Sequence, residues 1–159
     1  MTPMATLASG TLSQSRAPDL VEVSDLMEYT LEGDPVDQQG RSMYTERPIH
    51  GGIYQAREDV MAVVHNHSPT VIPFSVTNTP LRPMFHLGAI IGPELPVWDI
   101  RDNFQDTNML VTNMDQGRDL ARCLGQGVST LINRVRGFEL FIRSHRPDVQ
   151  TVRIRANTA

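Results

Sequence analysis

The sequence predicts an α/β fold, and three observations carry that expectation. Segments of helical period alternate with short apolar segments of strand type. Turn-forming groups such as Glu32-Gly33-Asp34-Pro35 and Gly92-Pro93 punctuate them. The composition, 40% hydrophobic and 20% charged over 159 residues, is that of a globular domain and not of a disordered chain. A domain of this size hides roughly 70% of its unfolded surface, so a core is available to it.

Residues 1–16 are rich in Ser, Thr, Ala and Pro without periodicity and read as a loose arm; residues 17–159 read as one domain. Leu26 to Leu31 reads as a strand entering a hairpin at the Glu32–Pro35 turn. Thr45-Glu46-Arg47-Pro48 is a helix start, with Thr45 or Glu46 near the cap and Pro48 in the first turn, where its missing N–H is not needed. Ile49, Ile53, Ala56 and Val60 follow near helical spacing, and Tyr54 is expected to pack. Met61 to His65 is a short apolar strand, expected to be buried on both faces. His65 to Pro69 closes it and opens a second helix through about Val76. Asn78 to Pro83 is a loop, and Met84 to Ile91 is an apolar, strand-like run. Leu95 to Ile100 is a strand. Asp115 is expected to cap a helix running to about Leu124, with Gly125 at its end. Val128–Ile132 and Gly137–Ile142 read as strands.

Charge and composition remove several function classes. A net charge of -4 and a pI near 5.7 leave no basic excess to draw in nucleic acid or an anionic membrane. No apolar run approaches the roughly 20 residues that span a bilayer. Met1 to Ser15 lacks the basic start and apolar stretch of a signal peptide, so a soluble cytoplasmic protein is expected. One cysteine, Cys123, allows neither an internal disulfide nor a multi-thiolate zinc site, and its apolar helical setting marks it as a small core residue. All 14 basic residues are arginine. Schiff-base catalysis, pyridoxal phosphate attachment and a standard P-loop all need lysine, so they are excluded. An electrophile for carbonyl chemistry would have to be a metal ion or an arginine.

His65-Asn66-His67 is the sharpest local feature. Imidazoles two residues apart on a strand share one face, about 7 Å apart along the chain, within reach of one metal ion. The competing reading is an inert, hydrogen-bonded pair at a strand end. Glu46 lies one helix upstream. It reads either as a ligand and general acid/base, or as a helix-start charge that complements the dipole.

Three stretches together resemble the class II aldolase/adducin family, which includes L-fuculose-phosphate aldolase and L-ribulose-phosphate 4-epimerase. They are Glu46-Arg-Pro-Ile-His-Gly-Gly-Ile-Tyr54-Gln-Ala-Arg57, Ala62-Val-Val-His65-Asn-His67-Ser-Pro69 and Val71-Ile-Pro-Phe-Ser-Val-Thr77. Leu81-Arg-Pro-Met-Phe-His86 and Pro96-Val-Trp-Asp-Ile-Arg-Asp102 continue the likeness, toward a branch with sugar aldolases and metal-dependent decarboxylases of aromatic acids. The likeness covers roughly residues 17–140. It implies a three-layer α/β/α sandwich, a divalent metal (zinc first, manganese or iron as alternatives) and a cyclic homotetramer. It also implies His65, His67 and Glu46 as metal ligands, with Glu46 alternating as acid/base; His86 matches a family histidine near the site and reads either as a contact to a small carbonyl or carboxylate substrate or as a structural residue. The implied activity is carbon–carbon lysis, by aldol cleavage or decarboxylation through an enolate or carbanion. The alternative is a non-catalytic association module, as adducin is.

Departures from the family pattern accompany the likeness. The family's third histidine, in an Arg-Gly-His-Gly type motif, falls on Arg136, whose guanidinium has no lone pair for a metal. His145 lies nearby in a setting that does not match and reads as a surface residue; His50 reads as helix packing. The family's phosphate- or carboxylate-binding loop is expected to be largely absent, and the helices that usually finish the sandwich absent or replaced, so the sandwich is expected to be incomplete at both termini. Arg82, Arg101 and Arg136 are candidates for pairing a substrate carboxylate, with surface or structural roles as the competing reading. Asp99 and Asp102 read as loop carboxylates.

Overall fold

The computed structural model describes residues 22–105, 107–133, 139–140 and 142–144. The expected arm at 1–16, Arg136 and His145 lie outside the described residues. The chain forms two compact units, Met1–Arg57 with Leu110–Ala121, and Glu58–Met109 with Arg122–Ala159.

In the first unit the expected hairpin forms with very little strand. A 3-10 turn covers Val23–Asp25, and one antiparallel bridge joins Tyr29 to Pro35. The N–H of Thr30 donates to Asp34 O at 2.8 Å, that of Gly33 to Thr30 O at 2.9 Å and that of Val36 to Glu28 O at 2.9 Å. Gly33 is buried at φ +80, a left-handed conformation that costs a residue with a Cβ. Arg47 Nε donates to its carbonyl and so clips the turn to the next element. Met27 and Tyr29 point inward, fully buried, with Tyr54 packed against them as expected.

Helix α1 runs Arg47–Ala56 with Pro48 in its first turn and buries Pro48, Ile49, Gly51, Gly52 and Ile53. It stops before Val60, which falls outside it. Helix α4, the fourth in chain order, covers Met114–Leu124. Its cap is Asn113 and not Asp115. Asn113 Oδ1 accepts from the Gln116 N–H at 3.0 Å, while Gln116 Oε1 accepts from the N–H groups of Thr112 at 2.8 Å and Asn113 at 3.4 Å. That reciprocal pair satisfies helix-start donors that a lone Asp115 would leave open. Asp115 lies inside the first turn, exposed, and meets Arg118 at 3.3 Å. Gly125 follows the helix at φ +54, as expected of a helix terminator.

The two helices touch through glycine. A Cβ on Gly52 would lie 2.3 Å from the Gly117 carbonyl carbon, and one on Gly117 would lie 2.1 Å from Pro48 O. No side chain fits at this crossing.

In the second unit, β1 (Ala62–Val64) pairs antiparallel with β5 (Ile142–Ser144), Ala62 opposite Ser144. Strand β2 (Val97–Asp99) pairs in parallel with β3 (Leu131–Asn133), and β3 pairs antiparallel with β4 (Glu139–Leu140). The expected strand Gly137–Ile142 is thus divided between two ladders. The expected strand at Val128–Ile132 starts only at Leu131, after the Gly127 turn. Leu131 is the buried centre of a cluster with Val71, Ile72, Phe74, Leu81 and Leu95.

Four further expectations are corrected here. Strand β1 is not buried on both faces: Met61 is 76% exposed and Val64 43%. An antiparallel pair needs only one face covered, and a short apolar run does not reveal which kind of sheet it joins. The second helix is one turn, α2 (Ile72–Ser75), because Pro69 and Pro73 both lack an N–H and Thr77 to Pro80 supplies turn formers. The strand-like run at Met84–Ile91 is a 3-10 helix over His86–Ile91, with no buried residue, ending at Gly92 with φ +85. Cys123 is half-buried, its Sγ 4.0 Å from Thr130 Oγ1, and not a core residue. Among the described residues no helix is long and apolar enough to cross a membrane.

The glycine crossing predicts a reversal of the usual helix preference. Alanine normally stabilises a helix over glycine by up to about 1 kcal/mol. At Gly117, alanine is expected to cost about 2 kcal/mol or more by overpacking, read as a lower urea midpoint. Gly88→Ala, whose new Cβ would meet Pro83 at an ordinary 3.4 Å, serves as the control and is expected to leave the midpoint nearly unchanged.

Candidate metal centre

His65 leaves β1 directly after Val64, and His67 follows two residues on. Both lie past the end of the strand, yet their imidazoles still come side by side. Their ring centroids are 5.3 Å apart with planes 32° apart, and a nitrogen of each lies within 4.8 Å of the other's. Metal–imidazole bonds are about 2.0–2.1 Å, so modest side-chain rotation brings both nitrogens onto one ion. His65 is half-buried and His67 exposed, which leaves the pair open to a ligand from solvent.

Glu46 belongs to the first unit and occupies the N-cap position of α1. Its side chain does not cap that helix. It is buried, 6% exposed, and Oε1 accepts the N–H of Val111 at 3.2 Å. No local signal in the residues announces this bond: the partner is a backbone group 65 residues away.

The other candidates are placed as follows. His50 sits edge-on to Tyr44, centroids 6.5 Å apart, a packing role as expected. His86 opens the 3-10 helix and is exposed, its ring edge-on to Phe85 at 5.9 Å. Arg82 is exposed in the loop before it. Asp102 is exposed in the short helix α3 (Arg101–Phe104).

Arg101 turns back onto Asp99. Its Nε donates to Asp99 Oδ1 at 2.9 Å, its backbone N–H to the same oxygen at 3.0 Å, and its Nη2 to Oδ2. Asn133 Nδ2 donates to Oδ2 at 2.9 Å from the paired position on β3. Asp99 is therefore more than a loop carboxylate: it ties the ends of two parallel strands to the turn that follows. The Arg101 guanidinium hydrogen bond, then its backbone N–H and charge, then Asn133 hold the Asp99 carboxyl below its usual 3.8, against an opposing push from burial. The same contact raises the Arg101 guanidinium above its usual value.

Comparison with known proteins adds to this geometry. The family profile described as "Class II Aldolase and Adducin N-terminal domain" matches residues 13–151. The decarboxylase tropJ of Talaromyces stipitatus is 36% identical over 117 residues, 70% of this chain and 44% of that protein. The 3,4-dihydroxyphthalate decarboxylase of Arthrobacter keyseri is 27% identical over 116 residues, 70% of this chain and 46% of that protein. The beta-adducin of Rattus norvegicus is 29% identical over 131 residues, 79% of this chain and 16% of that protein. The chain thus spans less than half the length of each of these curated relatives. Among solved structures, an aldolase II superfamily protein from Pseudomonas syringae superposes with a TM-score of 0.63 at 18% identity, covering 81% of this chain and 49% of that one. The L-fuculose-1-phosphate aldolase of Thermus thermophilus gives 0.59 at 20%, covering 80% and 57%. The fold is that of the class II aldolases, in the α/β class.

The Asp99 network makes a pH-dependent prediction. A carboxyl held low in the folded state stabilises the fold above its unfolded value, and the gain is lost as pH falls through the folded value. Asp99→Asn is expected to cost about 0.5–1 kcal/mol at pH 7, a modest figure because Arg101 is half-exposed. Urea titrations should show that difference shrinking below about pH 4.

Proposed function

We propose a function from one premise: the chain belongs to the class II aldolase and adducin family. On that premise it is a metal-dependent carbon–carbon lyase. It acts by decarboxylation of an aromatic or hydroxy acid, or by aldol cleavage of a hydroxy-carbonyl compound. The observation that carries the reading is the His65–His67 pair, two imidazole donors brought within 4.8 Å of one another, one of them exposed. The two similar decarboxylases and the aldolase of like fold support the reaction class.

The residues present suit a borderline divalent ion. Imidazole and carboxylate donors fit zinc, manganese or iron, and the absence of cysteine near them disfavours softer metals. In this proposal His65, His67 and Glu46 are the ligands, two histidines and one carboxylate, with Arg136 where the family has a further histidine. When bound, such an ion supplies a Lewis acid for the electron pair left by carbon–carbon cleavage. The two histidines orient it as neutral donors. Glu46, oriented by the Val111 N–H, takes or delivers the proton at the reacting carbon. His86, exposed, contacts the substrate. With no lysine in the chain, its side chains cannot form a Schiff base with that substrate. Cytoplasmic location and a homotetrameric assembly belong to the same proposal.

A second reading has its own support. Similarity to beta-adducin across 79% of the chain favours a non-catalytic association module built on the same fold. Metal separates the two. Protein purified without chelator or metal-affinity tag is expected to carry close to one divalent ion per chain by elemental analysis. His65→Ala and His67→Ala should each lose most of it while staying folded, and Glu46→Gln should hold it more weakly. Folded protein that takes up no zinc, manganese or iron would falsify the lyase reading and leave the association module.

A further inference from the structure

Arginine is the chain's whole cationic inventory, and the structure accounts for nearly all the described arginine side chains. Arg41 is held by the carbonyls of Gln38, Ser24, Leu26 and Asp37. Arg47 is held by those of Gly33 and Tyr44. Arg118 bridges Glu32, Gln55 and Asp115, and Arg101 is taken by Asp99. Arg57 and Arg122 are engaged as well. Among the described side chains, Arg82 is the arginine that meets neither a carboxylate nor a carbonyl. It is also the one Asp, Glu, Lys or Arg between Asp59 and Glu94, so no acid in that stretch neutralises it.

Its surroundings are unusual in the opposite sense. Met84 is 90% exposed, Leu87 69% and Phe85 62%, large apolar surface left in water beside a lone cation. The segment is not loose. Pro80 and Pro83 restrict the loop, Gly88 lies over Pro83, and His86 stands edge-on to the Phe85 ring with planes 83° apart. An exposed cation and an exposed aromatic ring three residues apart in the chain, on a proline-restricted segment, suit a small ligand with one anionic end and one flat apolar body.

We propose that Arg82 recognises the carboxylate of an aromatic acid whose ring packs on Phe85. The inference takes its ligand class from the lyase reading and selects the acid side of it, decarboxylation over cleavage of a neutral hydroxy-carbonyl compound. Of the three arginines the sequence nominates for a substrate carboxylate, Arg101 is committed to Asp99 and Arg136 lies outside the described residues.

The test compares 3,4-dihydroxybenzoate with catechol, which has the same two hydroxyls and no carboxylate. Binding is measured by calorimetry on the full chain, metal-loaded and metal-free, with metal content read separately. A charge-assisted arginine–carboxylate pair predicts that the acid binds roughly ten- to a hundredfold more tightly than catechol. Arg82→Gln should erase that ratio without changing catechol affinity, melting temperature or metal per chain. Arg82→Lys should restore part of it, since it keeps the charge and loses the fork. Phe85→Ala should weaken both ligands alike. An unchanged ratio in Arg82→Gln, or no preference for the acid in the unaltered protein, overturns the proposal even if metal is bound normally. Absence of metal overturns the lyase reading instead, and the ratio on metal-free protein still decides for or against Arg82.

Discussion

The first unit depends on a contact that contains no side chain. Helices α1 and α4 meet where Gly52 faces Gly117 and where Gly117 lies under the Pro48 carbonyl, at separations that exclude a single methyl group. Backbones this close fix α1, from Pro48 to Gly52, against the first turn of α4. Glu46 stands at the N-cap position of one, and Val111 precedes the other by three residues. The buried Val111–Glu46 hydrogen bond therefore follows from the crossing, and with it the placement of the carboxylate. The hairpin is tied to the same frame, by Arg47 on Gly33 and by Arg118 and Gln55 on Glu32.

The second unit works by different means. Its strands are three residues long or shorter, so ladder hydrogen bonds alone hold little. Local links supplement them: Leu131 N–H and Thr130 Oγ1 both reach Pro96 O, and Asp99 gathers Arg101 and Asn133. The histidine pair sits just past the exit of β1, where the two rings lie side by side and the surface already opens. That combination suits a site that must hold an ion and admit a ligand.

Much of this was legible in the residues, for reasons that can be named. Pro48 behind Glu46 marks the start of α1, and the His65–His67 spacing marks a shared face, because both signals are local. What escaped was set by distance or by competition between local signals. Asn113 won the cap of α4 over Asp115 because Gln116 could reciprocate. Met84–Ile91 looked like a strand by apolarity, yet no described strand pairs with it and Gly88 lets it coil onto Pro83. Arg101 reads from the residues alone as a partner for a substrate carboxylate, but Asp99, two residues before it, occupies it. The Val111 bond, 65 residues from Glu46, has no local trace at all.

The proposed function rests on His65 and His67 supplying the imidazole ligands of the proposed metal site, with no further imidazole. X-ray absorption spectroscopy of the zinc-loaded chain tests it most directly, because it counts imidazoles by their outer-sphere scattering. The account predicts two imidazoles, the rest of the shell oxygen at about 2.0–2.2 Å, and one imidazole fewer in His67→Ala. A shell with three imidazoles would mean that another histidine completes the site, and a shell of oxygen alone would mean that His65 and His67 are not ligands; either contradicts it.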